Sequence, residues 1–277
     1  MADRAETDDR RETVDDPEPD RLLSLAQERR PYLRLLSAAP RHKRDVIDDL
    51  GDSRSTVDRA IEALHGEGLV TRTDDGAWVT TTKGDVLFET VGETRETVAA
   101  VGAASDLLPH LPCAESVPPA LFRDAAVEVA TGPAPLAVAD RVVETVADAD
   151  SIRGFAVADH DVGVKEILFD ATLADESFTF DYVFDASLVE TLRTSEEVPW
   201  SGLLDAPNAR LTVSERLPFG LMLTEHGDTT RLVVIVYDDQ TVVRGQIRTP
   251  NPEAVAWGEE VFERYRADAT PLADWPS

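Results

Sequence analysis

The chain has 277 residues and a formal net charge of −27, with 54 Asp and Glu against 27 Lys and Arg. That length suits two domains with real cores, and no run approaches ~18 uninterrupted apolar residues, which excludes a helical membrane span. The polar N-terminus lacks the apolar stretch of a secretory signal, and Cys113 stands alone, which excludes an intrachain disulfide and every multi-cysteine metal site; a cytoplasmic protein with a packed thiol is expected.

Residues 1–19 have only Met1, Ala2, Ala5 and Val14 as apolar members, too few for a core, and read as a disordered acidic arm. Asp20 is placed to cap a helix over 21–29, and Pro31 interrupts or restarts it before Tyr32, Leu33, Leu35 and Leu36. A second helix is expected at 41–50, with Val46, Ile47 and Leu50 inward and Gly51 at the turn. Asp52 or Ser53 then caps a third, ended by Gly66 and Gly68. In that third segment Val57, Ala60, Ile61 and Leu64 recur at i, i+3, i+4 and i+7, one buried face of a helix. The sequence predicts a hairpin next, Val70–Arg72 and Trp78–Thr80 around Asp74-Asp75-Gly76. A long helix over 83–104 follows, with Val86, Leu87, Val91, Val98 and Val101 as its apolar side.

Beyond a Pro-rich connector (109–119), helices are expected at about 119–128 and 135–148. Strand 152–158, helix 162–173, strand 178–184 and helix 187–193 come next. Strands at 211–213, 220–225, 231–237 and 242–247 precede a closing helix, 252–266. Alternating helix and strand followed by a run of strands argues for a central sheet. The expected fold is α+β. An N-terminal winged helix-turn-helix (20–82) is joined by linker or dimerisation helices (83–131) to a C-terminal α/β effector-binding or dimerisation domain (132–270).

Charge is partitioned along the chain. Residues 1–20 carry three Arg against nine acids, residues 21–83 eleven Lys and Arg against ten acids, and residues 84–277 thirteen against thirty-five. The acid is thinned where a nucleic acid would be met. Lysine is rare (43, 83 and 165) and acid is spread evenly, a composition that fits a salt-accumulating halophile, because at ~1 M salt the Debye length is only ~3 Å. An ordinary acidic cytosolic protein with few lysines by chance or high genomic GC is the alternative.

The helix over 53–66 reads as a DNA-recognition helix. Ser53, Arg54, Ser55, Thr56 and Arg59 fall at its N-terminus or outer face, where guanidinium groups suit guanine edges or phosphate and hydroxyls can donate to phosphate. Each hydroxyl has capping as its plainer role. Arg41, Lys43 and Arg44 on the preceding helix are candidate phosphate contacts, with a solvated charged face as the alternative. Arg72 and Thr73 on the wing can reach a minor groove or phosphate. Asp58 can accept from cytosine, but a salt bridge to Arg54 or Arg59 is its plainer use.

These residues also carry a resemblance. SRSTVDRAIEALHGEGLV (53–70) with the W-V-T-T-T-K-G stretch after it resembles haloarchaeal winged-helix transcriptional regulators that carry a methanogenesis-regulator middle-type domain. LPFGLMLTEHG (217–227) is similar to that domain's P-aromatic-G-L strand, and VAWGEEVFERYRADATPL (255–272) to its closing helix. The resemblance spans about 21–272 and implies a transcriptional regulator with a C-terminal ligand-sensing or dimerising domain. A homodimer on double-stranded DNA is expected because one winged helix presents a small face and operators usually mirror a two-fold protein, with 83–104 and 252–266 as candidate dimer surfaces. Trp78 departs from the pattern, standing where the wing more often carries Tyr or Arg.

Catalysis is not expected. Asp159, His160, Asp161, Lys165 and Asp170 gather at one strand-to-helix junction, but their H-x4-K-x4-D spacing is not the H-x-K-x4-D of phospholipase D-type enzymes, and no second copy is present. Five histidines lie singly with no i, i+3 or i+4 pair, His110 and His226 among them, so no metal or cofactor is expected. Two further readings stay open: a DNA-binding protein whose second domain only dimerises or docks, and, remotely, a phosphodiester enzyme fused to a DNA-binding domain.

Overall fold

The computed structural model describes residues 17–112, 116–130, 142–147, 149–158, 162–194 and 198–276. Most of the acidic arm, Cys113, Asp159, His160, Asp161 and the first half of the helix expected at 135–148 lie outside them. The chain divides into two compact units, Met1–Arg95 and Glu96–Ser277, and its fold is α+β.

In the first unit α1 (Pro17–Glu28) and α2 (Arg30–Ala38) precede α3 (Lys43–Leu50) and α4 (Arg54–Gly66). Helix α1 starts at Pro17, so Asp20 lies inside its first turn and does not cap it, and residues 17–19 belong to a helix and not to an arm. Gly51 ends α3 in the left-handed region (φ +68°) with its N–H on the Ile47 carbonyl, a conformation that costs a residue with a Cβ more than it costs glycine. Ser53 begins α4 by accepting the Thr56 N–H. Strands β1 (Val70–Arg72) and β2 (Trp78–Thr80) pair antiparallel in the register Val70↔Thr80, closed by Gly76 at φ +86°. Val57, Ala60, Ile61 and Leu64 are fully buried against Leu33, Leu36, Val46 and Leu69.

Helix α5 (Thr82–Ala103) follows. Its apolar side is narrower than its sequence suggests. Leu87, Phe88 and Val91 join the first unit's core, but Val86 and Val98 are 62 % and 64 % exposed and Val101 is exposed as well. A helix of this length outruns the core of α1–α4 that covers its first turns.

The second unit is built on an eight-stranded sheet. Its strands are β3 (Ala126–Val129), β4 (Ser151–Ala156), β5 (Thr179–Asp185), β6 (Ala209–Ser214), β7 (Gly220–His226), β8 (Thr229–Tyr237), β9 (Val243–Thr249) and β10 (Thr270–Pro271), in the order β10-β6-β5-β4-β7-β8-β9-β3. The β4–β5 and β5–β6 pairs are parallel; every other pair is antiparallel. Parallel neighbours need crossovers, and α6 (Val162–Ala174), α7 (Ala186–Arg193) and α8 (Trp200–Asp205) supply them. Leu168, Phe169, Leu188, Val189, Leu192 and Leu203 from these helices pack on Ile152, Phe180, Tyr182, Met222 and Val233. Helix α9 (Pro252–Ala267) covers the opposite face, setting Val261 and Phe262 against Phe155, Leu221 and Leu223. Burial on both faces explains why the strand RLVVIVY is a continuous apolar run and does not alternate.

The helix expected at 119–128 is not there. Pro119–Phe122 make a short 3-10 turn, and Ala126–Val129 are an edge strand paired with Arg248–Gly245 of β9. Alanines at 125 and 126 favour a helix locally, but the unpaired edge of β9 offers a ladder that a helix would forgo.

Candidate nucleic-acid interface

Helix α4 presents its N-terminus through a network of hydroxyls. Ser53 Oγ accepts the Thr56 N–H at 3.2 Å and lies 2.8 Å from Thr56 Oγ1 and 3.0 Å from Ser55 Oγ. Capping therefore occupies Ser53, while Ser55 remains exposed on the first turn. Arg54 is the most open cation of the helix, its side chain 88 % exposed and its Nε 3.9 Å from Asp58. Arg59, also exposed, turns back along the helix to donate from Nε to the Ser55 carbonyl at 3.1 Å. Arg54, Ser55 and Arg59 thus share the outer face opposite the buried stripe.

The three cations expected on the helix before α4 differ: Lys43 and Arg44 lie on α3, whereas Arg41 precedes it, because the helix begins at Lys43 and Arg41 pairs with Trp78 instead. Arg44 stands 87 % exposed, with Asp45 near it at 3.8 Å. Lys43 donates from Nζ to Asp58 Oδ1 at 2.6 Å and sits 5.8 Å from the centre of the Trp78 ring. It ties α3, α4 and the hairpin together. That hydrogen bond, before any longer-range attraction, holds the Asp58 carboxyl below the usual carboxylate range. Sequence reasoning gave Asp58 to Arg54 or Arg59; the Arg54 pair is present at 3.9 Å, but the short bond is to Lys43, fifteen residues away, and Arg59 is engaged elsewhere. Arg41 faces Asp49 at 3.4 Å, and its backbone exchanges two hydrogen bonds with Trp78 at 2.9 and 2.7 Å, adding a third rung beside the hairpin.

The β1–β2 hairpin is held from within. Arg72 Nε donates to the Gly76 carbonyl at 3.2 Å, laying the guanidinium across the turn. Thr73 Oγ1 bonds Asp75 and, at 3.0 Å, the Ala77 carbonyl, so this residue shapes the turn, and its bond lowers the Asp75 pKa. Trp78 meets His65 of α4 edge-on at 5.2 Å, and His65 Nδ1 lies 3.1 Å from the Val70 carbonyl oxygen. Trp78 is therefore the joint between the β1–β2 hairpin and α4. Sequence reasoning registered it only as a departure; its place beside a DG hairpin and behind a lone lysine was the available signal. Tyr32, whose hydroxyl donates to Asp52, was missed in the same way.

Residues 19–102 match the family described as the HVO_A0261 N-terminal domain, and residues 135–268 match the family described as methanogenesis regulatory protein FilR1, middle domain. Taken with the helix–turn–helix and hairpin just described, these matches define the class of protein: a DNA-binding transcriptional regulator. No curated protein matches the chain. Among solved structures, TrmBL2, described as an archaeal chromatin protein, is 13 % identical with a TM-score of 0.42, over 91 % of this chain and 99 % of that one. NucT from Helicobacter pylori is 7 % identical (TM-score 0.40) and Nuc, a phospholipase D family member from Salmonella typhimurium, 13 % identical (TM-score 0.37). Each of these two overlaps 53 % of this chain and 98 % of its own. At such scores these likenesses carry no functional argument. Among the described residues no helix is long and apolar enough to cross a membrane, and no three His, Cys, Asp or Glu gather as a metal site.

Proposed function

We propose that the protein is a cytoplasmic, sequence-specific transcriptional regulator of haloarchaeal type. It reads DNA through a winged helix-turn-helix and answers a small ligand through its C-terminal domain. The observation that carries the DNA reading is the outer face of α4, where Arg54 is open to solvent beside exposed Ser55 and Arg59, on a helix whose other face is sealed in the core. Arg54 reads a base edge, while Arg44, at the first turn of α3, holds phosphate; Arg41, Lys43, Arg72 and Thr73 position the wing and backbone contacts. Two copies bind a two-fold operator as a homodimer, with the exposed valines of α5 as part of the contact. No catalytic step enters this proposal: Lys165 and Asp170 serve α6 as surface residues.

The test is selection of bound sequences from random duplex DNA with the full chain, followed by affinities for the selected site and for random DNA. Arg54→Ala should lose ~10- to 100-fold on the selected site and little on random DNA, since one bidentate base contact is worth ~1–3 kcal/mol. Arg44→Ala should weaken both alike. Equal losses by both variants on both DNAs would overturn the assignment, and failure to enrich any sequence would overturn the regulator itself.

A further inference from the structure

One carboxylate shares the outer face of α4 with Arg54, Ser55 and Arg59. At about 100° per residue Glu62 falls inside the arc those three span, about 12 Å along the axis beyond Arg54. It is exposed, and the stripe of Val57, Ala60, Ile61 and Leu64 that enters the core lies on the other side of the helix.

The neighbours of Glu62 leave it alone. Arg59, three residues before it, is the cation placed to pair with it, yet Arg59 Nε donates to the Ser55 carbonyl at 3.1 Å. Asp58, one turn before it, carries the same charge and is held by Lys43 at 2.6 Å. Like charges at this spacing repel, so the helix gains nothing from a glutamate here. Other acids nearby are engaged: Asp45 accepts the His42 N–H at 3.3 Å, Asp49 faces Arg41 at 3.4 Å, and Asp52 accepts the Tyr32 hydroxyl. Of the acids from 43 to 66, only Asp48 and Glu62 have no hydrogen bond or ion pair among the described residues, and Asp48 belongs to α3.

We propose that Glu62 is a specificity-determining residue that reads a cytosine. The inference rests on the reading of α4 as the helix that enters the major groove. A carboxylate there accepts hydrogen bonds and donates none. Guanine turns two acceptors toward it, O6 and N7, and thymine an acceptor and a methyl group. Adenine sets its N7 acceptor beside its amino group, so one bond comes with one repulsion. Cytosine offers the N4 amino group with no acceptor next to it. Against any base without that donor the carboxylate loses its water and gains no partner, which costs more than the bond to cytosine contributes. Glu62 therefore selects by refusal as well as by contact, repelling phosphate and the wrong base edges alike.

The test combines protein and DNA substitutions, with the full chain in molar KCl. Sequences are selected from random duplex DNA by the wild type. Each base pair of the selected site is then changed in turn, and affinities are measured for wild type, Glu62→Ala and Glu62→Gln. Alanine at this exposed helical position should leave the fold intact. Changing one C·G pair should cost the wild type about tenfold and Glu62→Ala less than about twofold, while every other position weighs alike in both. Glu62→Gln should hold that cytosine more weakly and admit adenine, to which an amide can bond twice. On random DNA Glu62→Ala should bind as well as the wild type or better. A loss of affinity for every DNA alike would mean that the glutamate merely supports the helix, and would overturn the proposal. So would a selected site at which no position depends on Glu62, or dependence on a base other than cytosine; either result leaves the DNA reading standing. Failure of the wild type to select any sequence would overturn both.

Discussion

Gly84 is where the hairpin is fastened to the helix that follows it, and substituting it should loosen the whole first unit. A Cβ at this position would lie 2.0 Å from the Leu69 carbonyl oxygen and 2.9 Å from its carbon, both backbone atoms that cannot rotate away. Reaching ordinary contact at 3.4 Å means parting α5 from the α4–β1 turn by about 1.4 Å. That turn is held there by Thr81 N–H on the Leu69 carbonyl (3.0 Å) and Thr81 Oγ1 on the Gly68 carbonyl (2.7 Å). Both bonds would stretch beyond reach. Overpacking costs ~1–3 kcal/mol and the two bonds ~1 kcal/mol each, offset by ~1 kcal/mol because alanine is the better helix former. Gly84→Ala should therefore destabilise the unit by ~2–4 kcal/mol and weaken DNA binding with it. Trp78 is the unit's only tryptophan, so 19F-labelled tryptophan gives it a resonance of its own for following urea unfolding in the full chain. Gly66→Ala is the control: it sits at the end of α4 with nothing within 4 Å and should be neutral or stabilising. If Gly84→Ala unfolds at the wild-type urea concentration, the close approach at Leu69 is not a constraint and the reasoning fails.

Burial and the bond to Asp52 push the Tyr32 hydroxyl up to about 12 from 10.0. A folded value above the unfolded one means stability that is complete below pH 10 and lost as pH rises through 12, so the Trp78 transition should fall more steeply over that range in the wild type than in Tyr32→Phe. Asp58→Asn releases Lys43 and Arg54, so a plot of log K for DNA against log [KCl], expected to be nearly flat for the wild type, should become more negative by ~0.9 for each phosphate newly neutralised; an unchanged slope would mean the carboxylate does not compete with phosphate. Val98→Glu, on the open side of α5, should convert a dimer to a monomer by light scattering at molar KCl. A wild-type monomer that binds its operator fully would remove the dimer altogether.

What the sequence revealed was local, and what it hid was tertiary. The period of Val57, Ala60, Ile61 and Leu64 and the DG turn before Trp78 are each written within a dozen residues, and both took the expected form. The stretch 119–128 reads as a helix because its alanines, Leu121 and Phe122 fit one. Its true state depends on β9, about 120 residues later, whose open edge the local pattern cannot reveal. Helix α8 passed unnoticed because six residues span under two turns and give no period. Of the site, the outward face of α4 was legible. The Lys43–Asp58 bond was not, since a charge pattern read along one helix sees partners four residues away and not those across a helix–turn–helix.

That bond bears on how such a face can bind DNA at all. Lys43 is answered by Asp58 and Arg41 faces Asp49, which leaves Arg44 as the open cation of α3. A cation already paired with a carboxylate gains little by exchanging it for a phosphate, and the displaced carboxylate must then take up a cation from solution. Counterion release, which supplies most non-specific affinity at low salt, is cancelled at its source. In molar salt, that contribution is weak in any case, so little is sacrificed. What remains is the part of binding that salt does not screen: guanidinium and hydroxyl contacts to base edges from Arg54, Ser55 and Arg59, and the fit of the wing. On the proposed function, the acids among the cations of α3 and α4 shift affinity away from phosphate and toward sequence, which is the economy a regulator needs where cations are plentiful.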